Sequence, residues 1–101
     1  MNMLTCLKII NIIFQNIYLF DSFDNVYLFG SVLNKCENPN DVDILLIYSE
    51  YSNKLISDLK LISGVLEEKV GLPIDLTVLS NKEEMDVKFL KRISSSYLKI
   101  K

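Results

Sequence analysis

The chain has 101 residues, 50% of them hydrophobic and 24% charged, with a formal charge of −2. That much apolar material suits one small domain, residues 1–101, and excludes a disordered chain. The nearly balanced charge argues against a protein that coats nucleic acid, which needs a clustered basic surface. There is no histidine, so Ser-His-Asp hydrolysis, Cys-His proteolysis, His-ligated zinc and histidine acid–base chemistry are excluded. Cys6 and Cys36 are too few for a zinc cluster or a disulfide framework, and they suit a reducing cytoplasm. Any catalysis must rest on carboxylates, lysines, hydroxyls or a metal.

Leu4 to Phe20 is strongly apolar but broken by Lys8, Asn11, Gln15 and Asn16. Neither a membrane span nor a leader with an Ala-x-Ala-like cleavage site is expected, because the segment is interrupted and the chain has no alanine. Leu4, Leu7, Ile10, Phe14 and Ile17 recur at helical spacing, with Ile9, Ile12 and Ile13 widening the apolar face. The pattern predicts a core helix packed across a sheet; a sharper reading, compatible with it, is that its surplus apolar surface also meets another subunit. Val26 to Phe29, stopped by Gly30, forms a buried strand. Residues 31–40, with Asn34, Asn38, Pro39 and Asn40, form a loop that opens on a helical turn.

Val42 to Tyr48 is the strongest strand pattern in the chain. Ser52 caps a helix running to about Val70, with Leu55, Leu59, Ile62 and Leu66 on one face. Gly71 closes that helix and Pro73 forbids its continuation. Ile74 to Leu79 is a third strand. A last helix begins at Ser80 or Asn81 and runs through about Ile93, with Glu83 and Glu84 at its start and Lys91 and Arg92 at its end, as the helix dipole prefers. Ser94 to Lys101 takes no assignment. The order predicts an α/β layer of three strands with helices packed on it.

Asp41 and Asp43 flank Val42 where the second strand begins, and residues two apart in a strand share a face. Two like charges at the edge of a core repel unless something positive lies between them. A divalent cation does so, and Mg²⁺ takes hard oxygen ligands. Asp75, between Ile74 and Leu76, is out of place in a purely structural strand in the same way. If the second and third strands are neighbours, all three carboxylates form one cluster, the arrangement that serves two-metal chemistry. Taken singly, each aspartate is an ordinary turn or solvated-edge residue; together they point to a site. Gly30-Ser31 after a buried strand lets backbone N–H groups approach a phosphate.

Leu28-Phe29-Gly30-Ser31, nine intervening residues, then Asp41-Val42-Asp43 resembles the Gly-Ser…Asp-x-Asp signature of the DNA polymerase β-like nucleotidyltransferases. The chain is similar to their stand-alone minimal nucleotidyltransferase (MNT) branch. The resemblance implies a small mixed three-stranded sheet with helices packed on it, the polymerase β-like core. It implies transfer of AMP from ATP to a hydroxyl, with Asp41 and Asp43 holding two Mg²⁺ ions. Asp75 would share the second metal site and help deprotonate the attacking hydroxyl, and Gly30 and Ser31 would bind the triphosphate. Many relatives carry an arginine shortly after Gly-Ser, where this chain has Val32-Leu33-Asn34-Lys35. Lys35 is either the replacement cation or a solvated loop lysine, and Lys91, Arg92 or another chain are the other sources of positive charge.

Proteins of this branch and size are commonly antitoxins of HEPN-type ribonuclease toxins, so the resemblance implies a cytoplasmic toxin–antitoxin partner. A tyrosine of that toxin would be the acceptor, and neither a membrane nor a stable nucleic-acid partner is implied. The apolar N-terminal helix and the Tyr97-Leu98-Lys99-Ile100 tail suit a partner or homodimer interface. Two alternatives stand beside this one: a non-catalytic binding module that neutralises its partner sterically, and a transferase for a small-molecule acceptor.

Overall fold

The computed structural model describes residues 6–34, 39–93 and 96–101. Helix α1 (Cys6–Gln15) is followed by a short 3-10 turn at Ile17–Phe20. Then come β1 (Asn25–Phe29), α2 (Ser31–Asn34), β2 (Val42–Tyr48), α3 (Asn53–Val70) and β3 (Ile74–Ser80). The chain ends with α4 (Asn81–Val87), α5 (Phe89–Arg92) and β4 (Tyr97–Lys99). The sheet has four strands in the order β3-β2-β1-β4, one more than the three expected. The extra strand comes from the unassigned tail: three residues are too short to show an alternation, and β4 exists through its antiparallel pairing with β1. The sheet is mixed, because β2 runs antiparallel to β1 and parallel to β3 across the α3 crossover.

One face of the sheet carries the main core. Val26 and Leu28 of β1, Val42, Ile44 and Leu46 of β2, and Ile74 of β3 meet Ile9 and Ile13 of α1 and Leu55, Ile62 and Leu66 of α3. Each such side chain contributes about 1.5–3 kcal/mol by leaving water. α3 keeps its predicted limits for local reasons. The Ser52 hydroxyl accepts from the Leu55 amide, and Gly71 takes the left-handed conformation (φ 80°) while its N–H donates to Glu67 O. The Pro73 carbonyl then accepts from Val42 N at 2.9 Å, which ties the exit of α3 to the start of β2.

α1 turns a different stripe inward from the one expected. Cys6, Ile9 and Ile13 are buried, whereas Leu7, Phe14 and Ile17 are exposed. Both stripes have helical spacing, and the choice is made outside the helix. Leu19 and Phe20 of the 3-10 turn are buried, and the buried Asn16 donates to Ile12 O and accepts from Lys69 Nζ of α3. Leu4, the first residue of the expected stripe, lies outside the described residues.

The predicted last helix is broken in two. Lys88 adopts φ 52°, the single described non-glycine residue with positive φ, and separates α4 from α5. The start is as the sequence implied: Ser80 and Glu83 form a reciprocal capping box. α4 lies against β3 and β2, and α5 sends Phe89 against Phe29 of β1. Among the described residues, no helix is long and apolar enough to cross a membrane.

Candidate active site

The register places the site. β2 lies between β1 and β3, and Asp43 is paired with Phe29 on one side and Asp75 on the other. Cross-strand partners put their side chains on the same face, so Asp43 and Asp75 stand together on the side of the sheet away from the α1–α3 core. Asp41, one residue before β2, joins them: one carboxylate oxygen from each of the three residues lies within 4.8 Å of the other two. Burial, and then the neighbouring Asp41 and Asp75 charges, push the Asp43 carboxyl above the usual aspartate range.

Gly30 is required twice. It takes φ 80° at the end of β1, a conformation that L side chains resist, and a Cβ there would stand 2.2 Å from Asp43 Oδ2. The missing side chain is the space that the Asp43 carboxylate uses. Ser31 opens α2 beside it, and its hydroxyl lies 3.3 Å from Asp41 O and 3.4 Å from Asp41 Oδ1. Asp41, Asp43, Asp75, Gly30 and Ser31 are therefore neighbours in space. Lys35 lies outside the described residues.

The aromatic side of the site has no motif in the sequence. Phe29, in register with Asp43, meets Phe89 of α5 edge to face at a centroid distance of 5.4 Å. Tyr27 meets Tyr97 of β4 in the same way at 5.5 Å. Burial, then Tyr97 and Glu84, raise the Tyr27 hydroxyl above its ordinary range. The only hint of this tract in the sequence is the two-residue alternation of Tyr27 and Phe29 with the core residues Val26 and Leu28.

Three hard-oxygen carboxylates gathered within 4.8 Å fit a divalent metal. Fold and site together define a class: an α/β protein that gathers acidic ligands beside a glycine turn at the edge of a mixed sheet. The chain belongs to the polymerase β nucleotidyltransferase family, whose model, "Polymerase beta, Nucleotidyltransferase", matches residues 8–98. Its fold is similar to that of a Sulfolobus solfataricus protein described as a nucleotidyltransferase. That match has a TM-score of 0.55 at 15% identity and covers 93% of this chain and 80% of the other. The fold is also similar to a chain of a mutant of the toxin–antitoxin MntA-HpeT, with a TM-score of 0.54 at 16% identity and coverage of 97% and 73%. At these identities the likeness is one of fold. No curated protein matches the chain.

Proposed function

We propose that this chain is a Mg²⁺-dependent protein adenylyltransferase that moves AMP from ATP to a tyrosine hydroxyl of a HEPN-type toxin, acting as its antitoxin. The observation that carries the reading is the convergence of Asp41, Asp43 and Asp75 within 4.8 Å beside a glycine whose missing Cβ makes room for Asp43. Family membership supports nucleotidyl transfer as the chemistry, and likeness to a toxin–antitoxin protein supports a toxin as the partner.

In this reading Asp41 and Asp43 hold the two metal ions and Asp75 shares one of them. When bound, the ions would neutralise charge on the triphosphate and on the oxygens that attack and leave, as the hydroxyl displaces pyrophosphate from the α-phosphorus. Asp75, the most exposed of the three carboxylates, takes the proton of the incoming hydroxyl. Gly30 and Ser31 present the turn into α2 to the phosphates, with the serine hydroxyl as a donor. None of these roles needs a histidine or a covalent protein nucleophile, because in-line transfer depends on positioning and charge.

A steric antitoxin is the second reading, favoured by the outward apolar residues Leu7, Phe14 and Tyr18, which suit a stable complex without chemistry. The test is the intact mass of the protein encoded beside this chain after incubation with it, ATP and Mg²⁺. A gain of AMP that disappears with Asp41→Asn/Asp43→Asn supports adenylyl transfer. A tight complex with no gain in mass supports steric neutralisation.

A further inference from the structure

Residues 87–101 carry Lys88, Lys91, Arg92, Lys99 and Lys101 and no acidic residue, whereas all 13 acidic residues lie before them. The fold brings the first part of this basic segment to the carboxylate edge. Phe89 opens α5 by packing on Phe29, and Phe29 is the cross-strand partner of Asp43. α5 therefore stands one aromatic layer from the carboxylates. Two local devices hold it there: the left-handed turn at Lys88, and the Leu90 amide donating to Glu84 Oε2 of α4 at 3.0 Å.

Arg92 is the only arginine in the chain. It is exposed, and among the described residues the one ion pair is Lys54–Asp58, so its guanidinium has no carboxylate partner. Arg92 closes the four-residue α5 three residues after Phe89, and its side chain is exposed like that of Lys91. An unpaired planar fork at the end of the short helix seated on Phe29 has two uses: it remains a solvated helix-end charge, or it takes an anion brought to the neighbouring site. A nucleoside triphosphate is that anion, and arginine binds phosphate oxygens in a bidentate way that lysine does not match.

We propose that Arg92 binds the β- and γ-phosphates of the nucleoside triphosphate, with Phe89 on Phe29 as the anchor that positions it. The proposal rests on the nucleotidyltransferase reading for the identity of the ligand, and inorganic tripolyphosphate separates the two. Dissociation constants for ATP with Mg²⁺, for tripolyphosphate and for adenosine are measured on the full chain and on Arg92→Ala, Arg92→Lys and Lys91→Ala.

The expected result is that Arg92→Ala weakens ATP and tripolyphosphate by about tenfold or more, the effect of one charge-assisted contact. Arg92→Lys should fall in between, Lys91→Ala should stay within about twofold, and adenosine should be unmoved. Equal losses in Arg92→Ala and Lys91→Ala would mean a diffuse positive field and overturn the assignment, as would unchanged polyphosphate binding in Arg92→Ala. A single-stranded oligonucleotide held more tightly than tripolyphosphate, and released by Lys99→Ala, would replace it with a nucleic-acid surface. Arg92-dependent tripolyphosphate binding without AMP transfer would uphold Arg92 and refute the functional reading. AMP transfer by Arg92→Ala at unchanged KM for ATP would do the reverse.

Discussion

Gly30→Ala separates backbone strain from damage to the site, because Gly71 supplies a matched control. Both glycines have φ 80°, so each alanine variant suffers the left-handed penalty of about 1–2 kcal/mol. At Gly71 nothing lies within 4 Å of the new Cβ, so the backbone cost is all there is. At Gly30 the Cβ would meet Asp43 Oδ2 at 2.2 Å, Cγ at 3.0 Å and Cβ at 3.3 Å. Rotating the carboxyl away relieves the first two contacts. The third involves an atom fixed to the β2 backbone, so the strand ends must part slightly. Overpacking of this kind costs a further 1–3 kcal/mol or so.

A domain of this size loses roughly 4–8 °C in Tm per kcal/mol. Gly71→Ala should therefore melt several degrees below the parent, and Gly30→Ala lower still by about as much again. Metal binding should show the sharper contrast. A Mn²⁺ or Mg²⁺ titration by calorimetry should find the parent's affinity kept in Gly71→Ala and lost in Gly30→Ala, because in the proposed site the displaced carboxylate would be the central ligand. If the two variants melt together and bind cations equally, the close approach of Gly30 to Asp43 does not organise the site.

Asp43→Asn should raise stability without metal at pH 7, because burial and the Asp41 and Asp75 charges oppose ionisation there. A raised native pKa means that the folded state takes up the proton first, so the parent recovers as the pH falls. The advantage of Asn should shrink from the raised pKa down to the unfolded value near 3.8 and stay flat below it, read as Tm against pH. Saturating Mg²⁺ should reverse the order, stabilising the parent by about 2.7 kcal/mol at one hundred times Kd and leaving the variant nearly unmoved. Gly64→Ala, inside α3 with nothing within 4 Å of the new Cβ, should gain about 0.8–1 kcal/mol in chemical denaturation. Lys88→Gly should gain about 0.5–1 kcal/mol by relieving φ 52°, opposite in sign to Gly71→Ala.

Local chemistry was legible where one residue decides a boundary. Ser52, Gly71 and Ser80 act through their own hydrogen bonds or φ, and the helix ends they announce are the ones observed. The strand-borne Asp43 and Asp75 were legible because carboxylates conflict with Ile44 and Leu76 beside them, and a parallel register then brings them level. Features that depend on distant partners were hidden. The inward stripe of α1 is selected by Asn16 meeting Lys69, and β4 by pairing with β1. The break at Lys88 left no mark, since lysine is an ordinary helix former and only the packing of Phe89 on Phe29 gives the kink a purpose.

The inner position of β2 helps to explain why the acidic cluster forms at this end of the strands. A residue on an outer strand has one cross-strand partner, whereas Asp43 has two. β3 gives it Asp75 at the same level, and β1 gives it Phe29 and then stops at Gly30, leaving a gap the size of one methyl group. Crowding from β3 and room from β1 are both needed. Without the room the carboxylate could not lean out of the core, and without the crowding it would have no reason to take a cation. The same pairing fixes what stands opposite, because Phe29 is the seat for Phe89 and so for the start of α5. A register slip of one residue would turn Asp43 into the α1–α3 core and Phe29 away from α5, abolishing the carboxylate cluster and the seat of α5 together.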